Sequence, residues 1–151
     1  VSSLLDAASS KQFLQVSRTS DQAAVTSGTD IVLNNIIKTR GVLYDEATGI
    51  VTLTGGKTYR LAFHATFGSY TNPTTNALDV QWVDAVSNTP LDSSLRGSFL
   101  PVTSNANTSS PGVTVVYYTP VATGGYKLRC TASGGTADLL ANYAQLEVLE
   151  V

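Results

Sequence analysis

Apolar and polar residues alternate with period two along most of this chain, and that period predicts β-strands. Over residues 57–67, Tyr59, Leu61, Phe63, Ala65 and Phe67 share one face, while Arg60, Ala62, His64 and Thr66 share the other. Residues 125–133 repeat the pattern, with Tyr126, Leu128 and Cys130 facing in and Lys127, Arg129 and Thr131 facing out. Residues 143–151 alternate Ala144, Leu146 and Val148 with Tyr143, Gln145, Glu147 and Leu149, so neither face is cleanly polar. Residues 113–118 and 78–86 have the same mixed character. A strand apolar on both faces is central in a two-sided core or covered by another subunit. Residues 31–37 and 49–53 complete a set of roughly eight to ten strands, and the spacing of Gly, Asn, Pro and Ser is that of an all-β sandwich or barrel.

Only residues 3–15 read as helical, with Ser3 as N-cap before Leu4, Leu5, Ala7 and Ala8. The predicted division is therefore a short helical stalk end or linker over residues 1–15 and a sandwich over 16–151. No other stretch is long enough for the helix of a βαβ crossover, which argues against a parallel sheet. Residues 68–76 and 102–112 are uncharged and rich in Asn, Thr, Ser and Pro, and read as long exposed loops, where recognition often sits.

Composition removes several classes. The chain has 151 residues, one domain by size, of which only 13% are charged, with a net charge of −2. That balance leaves nothing to neutralise phosphates, so no nucleic-acid partner is expected. One Cys and one His exclude an internal disulfide, a cysteine zinc site and any histidine cluster, and no metal or cofactor is expected. Apolar runs reach only about four residues, far short of a membrane span, and no signal peptide is read. The chain starts at Val1 and holds no Met, as a fragment or processed product would.

Candidate chemistry is sparse. Gly55-Gly56-Lys57-Thr58 has the end of a phosphate loop, but Val51 stands where its first glycine belongs and a strand follows instead of a helix. His64 reads as a sheet-surface residue without a nucleophile elbow, and Cys130 as an inert core thiol. Asp45-Glu46 reads as a turn in preference to a calcium site. Asn107-Thr108-Ser109 matches a glycosylation acceptor. Trp82, flanked by Asp79 and Asp84, is a core anchor or a sugar platform. Together with Tyr70, Asn72 and Asn76 it forms the candidate receptor or glycan contact. No catalytic residue is expected, and the chain reads as a non-enzyme.

The order of these pieces resembles the C1q/TNF-like jelly roll. Residues 11–19 match that family's first strand, followed by an extended stretch around Asn34-Asn35. Then come Tyr44-Asp45, Thr48-Gly49, Thr52, a glycine turn, Tyr59 and Phe63, with Val51, Thr54 and Leu61 replacing the family's aromatic, Pro and first Phe. Gly56 lies one residue early. Residues 112–118, 124–130 and 143–151 match the last three strands. The resemblance implies a compact homotrimer whose inner sheets meet at a three-fold axis, with Tyr143, Gln145, Glu147 and Leu149 facing the axis and Tyr117 or Tyr118 near it. The low charge and the Thr/Ser/Asn/Gly surface resemble heads that cap bacteriophage tail needles and fibres. The implied function is a virion-tail or extracellular-surface knob that contacts a host-envelope component. The alternatives are a carbohydrate-binding module and a trimerisation head of a filamentous surface protein.

Overall fold

The structure is a computed structural model that describes residues 10–71, 77–92, 95–100, 110–141 and 143–151. The described residues form thirteen strands and no helix: β1 Phe13–Ser17, β2 Gln22–Val25, β3 Asp30–Ile31, β4 Asn35–Arg40, β5 Leu43–Tyr44, β6 Val51–Leu53, β7 Tyr59–Gly68, β8 Leu78–Asp84, β9 Gly97–Phe99, β10 Ser110–Tyr118, β11 Gly124–Ala132, β12 Ala137–Leu139 and β13 Gln145–Glu150. They build two antiparallel sheets. One has seven strands in the order β2-β12-β7-β13-β1-β4, with β10 on the free side of β7; the other has six in the order β5-β6-β11-β8-β9, with β3 on β11. This is an all-β sandwich, one of the two architectures the alternation and turn spacing predict, in the jelly-roll form that the resemblance implies.

The long periodic strands fall where the pattern places them. Three expectations are corrected. Residues 11–15 are not helical: β1 starts at Phe13, where Leu14 and Val16 enter the core and Phe13 pairs with both Leu149 and Arg40. The boundary at residue 15 therefore cuts a strand, and residues 1–9 lie outside the described residues. Residues 31–37 are not one strand. They split into β3 and β4 because Leu33 turns inward, with its backbone N–H and C=O both bonded to the Tyr44 hydroxyl. Residues 110–112 are not loop, because β10 runs against β7 from Ser110↔Phe67 to Tyr118↔Tyr59.

The core lies between the sheets. β7 contributes Tyr59, Leu61, Phe63 and Phe67, all fully buried, and the facing sheet supplies Val80, Trp82, Phe99, Leu128 and Cys130. Phe99 meets Phe67 edge-to-face at 4.7 Å and Phe63 at 6.3 Å. Gly112 makes room for it: a Cβ there would stand 2.7 Å from the Phe99 ring, so this site on β10 takes no side chain without displacing the aromatic. Gly49 closes the β5–β6 turn at φ 76°, where a Cβ would meet the Ile31 carbonyl at 2.8 Å.

The two ends of the described chain meet at one pole. Glu150 N–H donates to the Gln12 carbonyl and Val151 N–H to the Thr58 carbonyl, each at 2.9 Å. The Glu150 carboxylate accepts from Gln12 N–H at 2.8 Å and from Lys57 Nζ at 2.9 Å. The Gln12 side chain in turn accepts from the Tyr59 hydroxyl at 2.6 Å. β7 ends and β10 begins at the opposite pole, as the Ser110↔Phe67 register requires, with Ser69–Thr71 following β7 there.

Replacing Phe99 by Ala empties the centre of the aromatic cluster, and urea unfolding should register a loss of about 3–5 kcal/mol. Glu150→Gln removes the charge from the clamp while keeping its shape. The hydrogen bond from Gln12 N–H, then Lys57, hold the Glu150 acid below the ordinary carboxylate range. A depressed acid stabilises the fold above its unfolded value near pH 4.5 and loses that contribution as pH falls through the folded value. The Gln variant should therefore be about 1–2 kcal/mol less stable at pH 7, with the gap closing in acid, as thermal melts across pH would record.

Candidate functional site

The outward face of the seven-stranded sheet is built from strands whose other face is core. Strand register lays its side chains in rows. Tyr117, Arg60, Leu149, Phe13 and Arg40 form one row; Val115, Ala62, Glu147, Gln15 and Lys38 the next; Val113, His64, Gln145, Ser17 and Asn35 the third. Neighbouring strands stand about 4.8 Å apart, so each row is continuous across the sheet.

The face is substantially apolar and open. Tyr117 is 63% exposed, Val113 48% and Leu149 40%. Charge is sparse on its central strands: only Arg60 and Glu147 on β7 and β13, and none on β10. Glu147 accepts from the Gln145 side-chain amide at 3.2 Å. Arg40 closes the β4 edge, stacked 5.0 Å over the Phe13 ring while donating to the Lys11 carbonyl.

The predicted axis residues are thus brought together. Gln145, Glu147 and Leu149 follow one another down β13, and Tyr117 stands across β7 from Leu149. Tyr143 is 65% exposed just before β13. Between the two tyrosines of β10 the structure chooses: Tyr118 turns inward, edge-to-face with Tyr126 at 5.2 Å. Phe13, Arg60, Val113 and His64 also lie on the face. Alternation along β1, β7 and β10 was the available signal for them, once the pairing of these strands is known.

Of the predicted receptor or glycan contact, the two aromatic members are core residues. Tyr70 and Trp82 are 1% and 2% exposed, so neither ring can be presented to a sugar. Asn72 and Asn76 lie outside the described residues, as does the Asn107-Thr108-Ser109 triplet. The carboxylates beside Trp82 are occupied. Asp79 accepts from Ser98 Oγ at 2.7 Å and faces Arg96 at 3.4 Å, and Asp84 caps its own turn through the N–H groups of Val86 and Ser87.

The remaining candidates have structural roles. Asp45 accepts from Ala47 N–H at 2.8 Å and from Gly49 N–H through its carbonyl, so the Asp45-Glu46 pair is a turn. Gly56 N–H bonds the Pro120 carbonyl, and strand β7 follows the glycines. Burial pushes the Cys130 thiol up to about 11, which leaves it protonated and unreactive at neutral pH. Among the described residues no three His, Cys, Asp or Glu side chains gather as a metal set, and no helix is long and apolar enough to cross a membrane. Arg129 pairs with Asp30 on the other sheet and Arg18 donates to the Val32 carbonyl, so neither faces Glu147.

No family model and no curated protein matches this chain. Solved structures do. The globular domain of zebrafish complement 1qA superposes with a TM-score of 0.66 at 14% identity, covering 93% of this chain and 97% of that one. Murine APRIL at pH 5.0 gives 0.62 at 11% identity, over 93% and 99% of the two chains. Eiger TNF from S. frugiperda gives 0.62 at 9% identity, over 93% and 92%. At such identities the likeness is one of fold, and the fold of this chain is the C1q/TNF-like jelly roll.

Proposed function

We propose that this chain is a non-enzymatic trimeric knob at the tip of a bacteriophage tail needle or fibre, where it contacts the host envelope during attachment or penetration. The observation that carries the reading is the open face of the seven-stranded sheet. Tyr117, Val113 and Leu149 expose large apolar surface on strands whose opposite side is already core. Burial against two further copies removes that surface from water at about 25 cal/mol per Å². C1q/TNF-like domains typically form trimers, and the open face is read as the surface that meets the other copies.

The poles support a tip location. Both ends of the described chain are clamped at one pole, while β7 ends and β10 begins at the other. A knob carried from the clamped pole turns the second pole outward. The host-envelope component is read as touching that second pole, and the sheet face as touching only other copies.

Solution mass by light scattering should come out at about three times the 15.8 kDa of one chain. Leu149→Asp brings three like charges into the shared face, and its mass should fall to that of one chain with the fold's circular dichroism retained. A Leu149→Asp protein that keeps the wild-type mass removes Leu149 from the interface. Phage whose needle or fibre lacks this head should adsorb or deliver DNA at least tenfold less well, and unimpaired infection sinks the host-contact role.

A further inference from the structure

We propose that the outward flank of the six-stranded sheet binds the carboxylate of an acidic sugar, with Arg129, Lys127 and Asn88 as its contacts. The inference goes beyond the reading above and does not rest on it, because one chain carries the whole site, on the sheet opposite the open face.

Strand β11 carries Lys127 and Arg129 on its outward side, and β3 sets Asp30 directly opposite Arg129. Asp30 serves both cations: Lys127 Nζ lies 2.9 Å from one carboxylate oxygen and Arg129 Nη1 lies 2.9 Å from the other. The cations are the more enclosed partners, with side chains 10% and 24% exposed. Two partly buried positive charges thus share one negative charge, and a cation drawn from water without its full counter-charge favours an incoming anion. The other carboxylates of this side are engaged elsewhere. Asp79 pairs with Arg96, and Asp84 accepts from the N–H groups of Val86 and Ser87. In the turn between β5 and β6, Asp45 accepts from Ala47 N–H and Glu46 from Ile36 N–H. Among the described residues none of these four forms an ion pair with Lys127 or Arg129.

The donors left over have the geometry of a carboxylate site. Arg129 Nη1 also donates to Asn88 Oδ1 at 3.1 Å, so both its bonds are made through one nitrogen. The Nε–Nη2 edge of the guanidinium has no acceptor among the described residues, and two parallel N–H groups on such an edge match a planar carboxylate. Gly28 keeps that edge uncovered: a Cβ there would stand 3.6 Å from Nη2. Asn88 is exposed and accepts through its amide oxygen, which leaves its NH2 group to donate beside the fork.

The surroundings select a sugar over a peptide. β11 is paired on both sides, by β3 and β6 on one and β8 on the other, so this flank offers no free ladder to an extended peptide. Thr131 and Gln81, hydrogen-bonded to each other at 2.7 Å, continue the outward side of β11 and β8 as uncharged polar groups that can exchange hydrogen bonds with sugar hydroxyls.

The test is calorimetric titration at pH 7.5 with tri-galacturonate, its methyl ester, tri-glutamate and inorganic phosphate. Tri-galacturonate should bind the wild type with a Kd of about 1 mM, and the ester about tenfold more weakly or less. Arg129→Lys keeps the charge and can still pair with Asp30, but it has no fork, and it should lose about tenfold in affinity. Asn88→Gly tolerates the positive φ of 58° at that position and removes only the amide; it should lose about threefold. It lies in an exposed turn, so it reads the site even if Arg129→Lys fails to fold. No binding of tri-galacturonate overturns the proposal, as does equal binding of its ester. Phosphate or tri-glutamate binding as tightly as the sugar overturns the sugar assignment in favour of that ligand. Unchanged affinity in Asn88→Gly, or in a folded Arg129→Lys, removes the site from this flank. The solution mass of the chain enters none of these outcomes.

Discussion

Strand β7 is the constraint on which the architecture depends. It pairs with β10 along one side and with β13, then β12, along the other, so three segments far apart in sequence are held in register by one ten-residue strand. Its alternation assigns Tyr59, Leu61, Phe63, Ala65 and Phe67 to the core and Arg60, His64 and Thr66 to the outer face. A slip of one residue in either pairing would exchange those sets, placing three aromatic rings in water and an arginine in the core. Register is therefore fixed by burial, and the composition of the outer face is fixed with it. Joining such distant segments carries a loop-closure cost that the long ladders and the Phe63–Phe67–Phe99 cluster offset.

The clamp at the chain ends extends this logic. β1 and β13 are neighbours because Phe13 to Ser17 pair with Leu149 to Gln145. Glu150 fastens that pair at its open end through Gln12 and Lys57, and Tyr59 at the start of β7 ties the same Gln12 side chain. A load applied at Ser10 would meet the β1–β13 pair, with the clamp as its first point of resistance.

Where alternation is long, the sequence is a sufficient guide: β7, β11 and β13 stand within two residues of their predicted limits. The short strands β2, β9 and β12 carry too few residues to show a period, and they form only because longer neighbours supply a ladder. The helical reading of residues 3–15 fails over its last residues because Phe13 to Gln15 have waiting partners on both sides, which outweigh local propensity. Trp82 shows a different limit. Its strand is buried on both faces: Val80 and Trp82 point into the sandwich, while Val83 is covered where the following turn folds back, with Pro90 opposite Val83 and Leu91 N–H bonded to the Trp82 carbonyl. Period two sorts residues onto faces, but it does not say how deeply a face lies, so a tryptophan between two aspartates is open to both a core-anchor and a platform reading, and its burial makes it the anchor. The open face of the other sheet was legible for the converse reason, since residues 113–118 and 143–151 carry apolar side chains on both sides.

The two edges of the seven-stranded sheet are treated differently, and that difference argues for a specific interface. β4 is exposed along nearly its whole length and carries Lys38 and Arg40, the charges that keep an edge from pairing with strangers. β10 carries no charge over nine residues and presents Val113 and Tyr117 on its open side. A chain under pressure only to stay soluble would protect both edges. Guarding β4 while leaving β10 and the adjoining face bare restricts any contact between copies to one side of the sheet.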